Sequence, residues 1–319
     1  MPWLVGIDEA GYGPNLGPFV LGSVAVYLPD GAPSCAEVLR PVVRRAAEDD
    51  DGRLLVDDSK QVYVGRNGLA KLERGVLPVC VPAVPTDPWT VGDCFTHLAA
   101  RTAQDNLSGE KWYEPRDPLP VALDLQEWAE LAGRVGAAGR GAGFAWGPVR
   151  TVVIPAPRFN ALLDHWHSKA AVEATAVIAL LQEARGLPGA EPLSFVVDRL
   201  GGRTHYAAII QTAFPDGWVH GVEEGAERSW YIVAGLERAV SLCFQPRAES
   251  DHLPVALASM MCKYIREVCM RQFNRFWQAH VPGLKPTAGY PTDAARYFRA
   301  IQKAMQDLGL GADQVWRRK

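Results

Sequence analysis

Met1-Pro-Trp-Leu-Val-Gly-Ile-Asp-Glu-Ala-Gly-Tyr-Gly-Pro-Asn-Leu-Gly-Pro18 opens the chain. The apolar run Trp3 to Ile7 reads as a buried strand. It ends in two adjacent carboxylates, Asp8 and Glu9, and a turn carrying Gly11, Gly13 and Gly17 follows at once. Glycine lets a backbone approach a ligand closely and take positive φ. Acids at a strand end beside bare backbone suit a metal ion and a phosphate. The plainer alternative is a strand, an exposed acidic pair and a turn. Neighbouring strand residues point to opposite faces. Asp8 and Glu9 therefore reach one site only if the strand ends or bends there.

Composition sets the outer bounds. The chain has 319 residues, 48% hydrophobic, with a formal net charge of −3. That is ample for a large core. A nucleic-acid partner would need a local basic surface, because the global balance supplies none. The six cysteines form no Cys-x-x-Cys pair, so we expect reduced thiols in a cytoplasmic protein, without a zinc site or disulfide framework. No apolar stretch reaches the length of a membrane span, and no signal peptide is visible. The charge balance gives no sign of an obligate protein partner.

Along the chain, strands are expected at 3–8 and 18–27, with a turn at 29–31. A helix over 34–48 is interrupted by Pro41. A short helix at 66–75 precedes a strand at 76–81. The stretch 82–147, with Pro82, Pro85 and Pro88, reads as an insertion holding helices at 92–106 and 125–134 and a flexible Gly/Ala loop from Gly133 to Gly143. A strand at 149–154, an apolar-striped helix at 168–185, a β-rich run ending at Asp198 and a helix at 203–212 follow. Strands at 217–222, 228–234 and 239–244 come next. A long helix spans 252–279, and a last one 293–308, capped by Thr292 or Asp293. Strands alternating with helices make this a mixed α/β protein.

Further groups carry chemistry. Asp198 ends an apolar strand, where α/β sheets place ligands; its plain role is a helix cap. Asp251 and Glu249 stand just before the long helix. Asp58-Ser59-Lys60 is by itself a polar turn. Tyr290, in Gly289-Tyr-Pro-Thr292, offers a face on which a nucleotide could stack. Lys263, Arg266, Arg271 and Arg275 lie along the long helix and suit phosphate contact as well as a solvated face. Phe273, Phe276 and Trp277 read as core, and Arg317-Arg-Lys319 as a soluble tail. His165 and His167 lack partners at metal-ligand spacing.

Taken in order, these motifs resemble the type 2 ribonucleases H (ribonucleases HII and HIII). Gly6 to Pro14, Gly17-Pro18, Asp58-Ser59-Lys60, Asp198, the run Ser259, Lys263, Arg266, Glu267 and Gly289-Tyr290-Pro-Thr292 match that family's pattern. Four positions depart: Tyr12 replaces a basic residue, Arg199 a glycine, the basic residue before the acid at 249 or 251 is missing, and a histidine after Thr292 is absent. The resemblance implies a ribonuclease H-like α/β fold: a mixed central sheet flanked by helices, an insertion at about 82–147 and a C-terminal helical part at about 252–319, all in one catalytic domain over 1–319. It implies hydrolysis of RNA in RNA–DNA hybrids, or at ribonucleotides in duplex DNA. Asp8, Glu9, Asp198 and Asp251 would hold two Mg2+ or Mn2+ ions, with Glu249 as rival to Asp251. Gly11, Tyr12, Gly13, Ser59, Lys60, Lys263 and Tyr290 would meet the substrate. With a tyrosine at position 12, cleavage at an isolated ribonucleotide is expected to be weaker than in a long hybrid. Two alternatives stay open: a non-catalytic nucleic-acid-binding protein on this fold, and a DNA nuclease of the wider superfamily.

Overall fold

The computed structural model of the protein describes residues 3–318 apart from 29–30, 32–33, 82–88, 102–106 and 142. Pro29 and Asp30 of the expected turn, the proline cluster and 102–106 of the helix expected over 92–106 thus lie outside the described residues; that helix already ends at Leu98, beyond which Ala99 bridges to Thr151. The first half comprises β1 (Trp3–Ala10), β2 (Phe19–Tyr27), α1 (Cys35–Leu39), β3 (Val43–Arg44), β4 (Leu54–Leu55), α2 (Ser59–Val62), α3 (Gly68–Cys80), β5 (Trp89–Thr90), α4 (Val91–Leu98), β6 (Pro118–Leu119) and α5 (Leu125–Gly141). Then come β7 (Ala145–Ile154), α6 (Ala156–Trp166), α7 (Lys169–Arg185), β8 (Leu193–Asp198), α8 (Ala207–Ala213), β9 (Trp218–Glu224), β10 (Ser229–Ala234) and β11 (Val240–Gln245). The chain closes with α9 (Ala248–Asp251), α10 (Leu253–His280), α11 (Pro291–Asp307) and α12 (Ala312–Val315).

Seven strands form one mixed sheet in the order β7-β2-β1-β8-β11-β10-β9. β1, β8 and β11 run parallel at its centre, and the outer neighbours pair antiparallel. Period-two alternation divides the core. Val5, Ile7, Leu21, Phe195 and Leu242 face α7 and α8 in one cluster. Val20, Val24 and Val26 face α10, α3 and α5 in another. A third cluster joins the C-terminal half of α10 to α11 through Phe273, Trp277, Tyr297 and Ile301. Phe273 and Trp277 are core as expected, and Phe276 is partly buried against them.

Gly6 shows how closely α10 crosses β1. A Cβ at Gly6 would lie 2.3 Å from backbone atoms of Pro254 and Val255. A methyl there must push the helix off the strand, costing about 1–3 kcal/mol. That close crossing brings the start of α10 to the acids.

The mixed sheet flanked by helices, with a C-terminal helical part, agrees with the expected fold class. Several local expectations fail. Val76–Val81 is not a strand: all but Val81 lies in α3, because Leu72, Val76 and Leu77 recur at helical spacing and pack on α10. The Gly/Ala run from Gly133 is not a loop but the second half of α5, drawn into the core by Trp128, Leu131 and Val135. The helix expected over 34–48 stops at Leu39, and Val43–Arg44 is extended. The helix expected from 203 begins at Ala207. α6, which no periodicity flagged, fills the β7–α7 connection. No helix among the described residues is long and apolar enough to cross a membrane.

Candidate active site

Sheet register builds the site. Ile7 pairs with Val197 on the parallel neighbour, so Asp8 and Asp198 are the next residues on adjacent strands. β11 enters at the same level, with Gln245 opposite Asp198. The strand does not end at Asp8 but continues to Ala10. Asp8 and Glu9 share an opening because the cleft spans both sides of this strand end. Its larger chamber, about 320 Å3, is lined by Asp8, Glu9, Asp198 and Glu249, by Gly11, Tyr12 and Gly13, and by Asp58, Ser59, Lys60, Ser259, Lys263, Arg266 and Tyr290.

The residues predicted from separate motifs therefore meet, with one exception. Asp251 does not line the cleft: it is exposed at the end of α9, where Gln245 Nε2 donates to its Oδ2 at 3.5 Å. Glu249, two residues earlier, is buried and does line it. One turn of α9 explains the swap, since residues two apart point in widely different directions on a helix. Asp58 is an acid at the cleft that the sequence reading left out of the ligand set. Its side chain caps α2 by accepting from Lys60 N at 2.9 Å.

Hydrogen bonds tie the motifs together. Ser259 Oγ on α10 and Ser59 Oγ on α2 are hydrogen-bonded at 3.1 Å. Glu9 N donates to Asp8 Oδ1 at 2.7 Å, and Tyr12 N to Glu9 Oε2 at 3.0 Å. Ala248 N donates to Asp198 Oδ1 at 3.1 Å. Asn15 N donates to Gly289 O at 2.8 Å, which holds the Gly289-Tyr290 segment against the first turn. Tyr290 itself is exposed at the rim.

The acids repel. Burial, then Asp198 and Glu9, push Asp8 well above the usual carboxylate range against a hydrogen bond from Ser259. Burial also raises Glu9, although Tyr12 N, Arg317 and Lys60 oppose the shift. Asp198 and Glu249 are raised chiefly by burial too, and Asp198 adds to the shift at Glu249. Asp8 and Glu9 still touch solvent in the cleft, yet protein surrounds them closely enough to strip most hydration. Lys60 loses hydration as well, but Asp58, Glu249, Asp8 and Glu9 outweigh that loss and raise its pKa.

The basic helix divides by burial. Lys263 donates to Glu267 Oε1 at 2.7 Å and lies over the Tyr63 ring. Arg266 is 1% exposed and donates to Leu16 O and Ala288 O from beneath the glycine turn. Arg275 pairs with Asp117 at 2.6 Å. Arg317 overturns the expected tail. It is 1% exposed and donates to Gly11 O at 2.6 Å and Pro14 O at 2.5 Å, while its backbone N donates to Asn15 O. Burial and the neighbouring Arg266 pull its guanidinium down to about 9. Gly11, at φ +95°, leaves no room for a Cβ, which would sit 2.8 Å from Arg266 Nε and from Pro18 O. Only a buried-arginine signal could have exposed this role in the sequence, and a terminal Arg-Arg-Lys gives none.

Hard, crowded carboxylate oxygens lacking a full counter-charge suit a hard divalent cation. Among the described residues, however, no three His, Cys, Asp or Glu side chains stand grouped as a ready chelate.

No protein-family model matches the chain, and no curated protein does. Solved structures do. The ribonuclease H2 of Pyrococcus horikoshii OT3 is 14% identical, with 98% of this chain and 92% of that chain covered and a TM-score of 0.49. The RNase HII of Archaeoglobus fulgidus, solved in a PCNA complex, is 13% identical over 99% of this chain and 94% of that one, at 0.41. Bst-RNase HIII in complex with Mn2+ is 15% identical over 99% of this chain and 65% of that one, at 0.40. The chain is thus similar, over nearly its whole length, to solved type 2 ribonucleases H.

Proposed function

We propose that this protein is a metal-dependent endonuclease of the type 2 ribonuclease H kind, acting on ribonucleotides within RNA–DNA hybrids or duplex DNA. The observation that carries the reading is the convergence of five separate sequence motifs on one cleft, with Asp8 and Asp198 adjacent on parallel strands at its floor. Asp8, Glu9, Asp198 and Glu249 are the residues that would hold Mg2+ or Mn2+, Glu249 taking the place first given to Asp251. Divalent ions bound there would supply an activated water and stabilise charge at phosphorus and the leaving oxygen. The chain does the rest. The glycine turn presents bare backbone to the sugar, Arg266 and Arg317 fix that turn from below, Lys60 adds positive charge beside the reacting phosphate, and Tyr290 offers a stacking face at the rim.

The test uses three labelled duplexes with Mg2+ or Mn2+: an RNA–DNA hybrid, DNA with a single ribonucleotide, and all-DNA. Cleavage confined to ribonucleotide-containing strands is expected, stronger on the hybrid because Tyr12 replaces a cation. Cleavage of all-DNA would point to a DNA nuclease. A second reading, a nucleic-acid-binding protein without catalysis, would use the same cleft. Duplex binding with no cleavage in either metal would establish that reading instead.

A further inference from the structure

Short α2 is laid along one face of α10. Ser259, Lys263 and Glu267 recur every four residues on the long helix and so share that face. Both ends of α2 are tied to this row. Ser59 bonds Ser259 at the start, and Tyr63, the residue that closes α2, donates its hydroxyl to Glu267 Oε2 at 2.9 Å. Between the two ties, Nζ of Lys263 sits 4.5 Å from the centroid of the Tyr63 ring and donates to Glu267 Oε1 at 2.7 Å. Gly68 makes room for the ring: a Cβ there would come within 2.8 Å of it.

Lys263 lines the larger chamber of the cleft, and Tyr63 and Glu267 grip it from behind. Burial and the Glu267 charge raise the pKa of the Tyr63 hydroxyl, which therefore stays a donor. With one carboxylate oxygen on Tyr63 and the other on Lys263, Glu267 is held in a fixed plane. The ion pair does not leave this wall neutral. Nη1 of Arg266 lies 3.5 Å from the Glu267 oxygen that takes Lys263, so two cations share one carboxylate. An ammonium carries three N–H donors, and Glu267 takes one. The ring face adds a cation–π attraction that orients the rest of the group. A lysine held in this way loses less freedom when it meets a ligand. A backbone phosphate is the ligand class that suits such a group in a cleft that takes nucleic acid.

We propose that Tyr63 is a positioning residue for substrate binding: its ring and hydroxyl, acting with Glu267, hold Lys263 at the cleft wall as a contact to a backbone phosphate. This rests on the nuclease reading above. Binding of a fluorescent RNA–DNA hybrid is measured by anisotropy at several salt concentrations, in an Asp198→Asn background that prevents cleavage. Lys263→Gln should weaken binding several-fold and reduce the slope of log affinity against log salt by about 0.9, the value of one phosphate contact. Tyr63→Leu should do the same, and Tyr63→Phe, which keeps the ring and loses the hydroxyl, should do so in part. In the Lys263→Gln background, Tyr63→Leu should change nothing further. A tyrosine with a merely structural role would lower stability in urea and leave the slope at the parent value. A parental slope in Tyr63→Leu, or losses that add in the double variant, overturns the inference and leaves the nuclease reading standing. Should Tyr63→Leu not fold, Tyr63→Phe decides, and parental slope and affinity in that variant overturn the inference. A parent protein that neither binds hybrid nor, with Asp198 restored, cleaves it overturns both.

Discussion

Two like-charged clusters face each other across the glycine turn, and they resolve their repulsion in opposite ways. Above the turn, burial raises the pKa of Asp8, Glu9, Asp198 and Glu249, and Asp198 adds to the shift at the other three, with Lys60 as the nearby cation. Below it, Arg266 and Arg317 lie fully buried and donate to Leu16, Ala288, Gly11 and Pro14 carbonyls. Through one terminal nitrogen each arginine donates to two backbone carbonyls of the turn region, while Arg266 Nε and Arg317 Nε and Nη1 are buried without a hydrogen-bond partner, so their charge serves the architecture at a cost. The acids also accept backbone N–H groups, yet they line an open cleft, so their charge is available to a cation from outside. The same loop thus has a structural face and a reactive face.

Asp198→Asn should break the reactive side most severely. It removes a ligand oxygen's charge and should lower metal-dependent cleavage by on the order of a thousandfold, a loss of several kcal/mol. Stability should hold or rise, because a repulsive buried charge has gone. An active variant, assayed on the hybrid with Mg2+ and Mn2+, would sink the assignment.

The structural side predicts the reverse pattern. Arg317→Ala leaves the Gly11 and Pro14 carbonyls without their donor and opens a cavity against Phe19 and Phe159, which the guanidinium overlies. We expect a stability loss of about 3 kcal/mol in urea unfolding. Whatever fraction remains folded should bind metal with normal affinity. Normal stability with lost metal binding would show that the arginine serves the acids directly.

Glu249 and Asp251 give a finer contrast within four residues of helix. Glu249→Gln should reduce cleavage by on the order of a hundredfold. Asp251→Asn, an exposed change, should stay within about twofold. The opposite ranking would return Asp251 to the ligand set.

How much of this was legible follows from which physical signal each part carries. β1, β2 and β8 announce themselves by buried apolar runs, and α7 by the stripe Val172, Ala174, Val177 and Leu181 at helical spacing. Their acids stand at strand ends, where the sequence marks them. Asp251 and Glu249 stayed rivals in the sequence because residue spacing before a helix does not specify which way one short turn faces. α3 and the end of α5 were misread because Val-rich and Gly/Ala-rich segments take their conformation from what they pack against, here α10 and one another. Arg317 was illegible for a different reason: its partners are backbone carbonyls some three hundred residues away, and no local pattern encodes them.

A buried acid outside both clusters calibrates the comparison. Glu110 lies beside a small cavity bounded by Trp112, Tyr113 and Cys269, and burial alone pushes its carboxyl up to about 8. The sign follows from proton counting. Between its ordinary pKa near 4.5 and about 8, the folded state holds a proton that the unfolded state has released. Stability therefore falls as pH rises through this window, by up to about 1.4 kcal/mol per pH unit from this one group. Glu110→Gln should remove that share of the slope between pH 6 and 7 while leaving the share of Glu173, which burial also pushes up to about 8, and that of the raised active-site acids. Mg2+ should then flatten the remainder, because an ion that binds the deprotonated acids stabilises the folded state more as pH rises. If Mg2+ leaves the remaining slope unchanged, the acids above the turn are not awaiting a cation, and the contrast between the two faces fails at its reactive side.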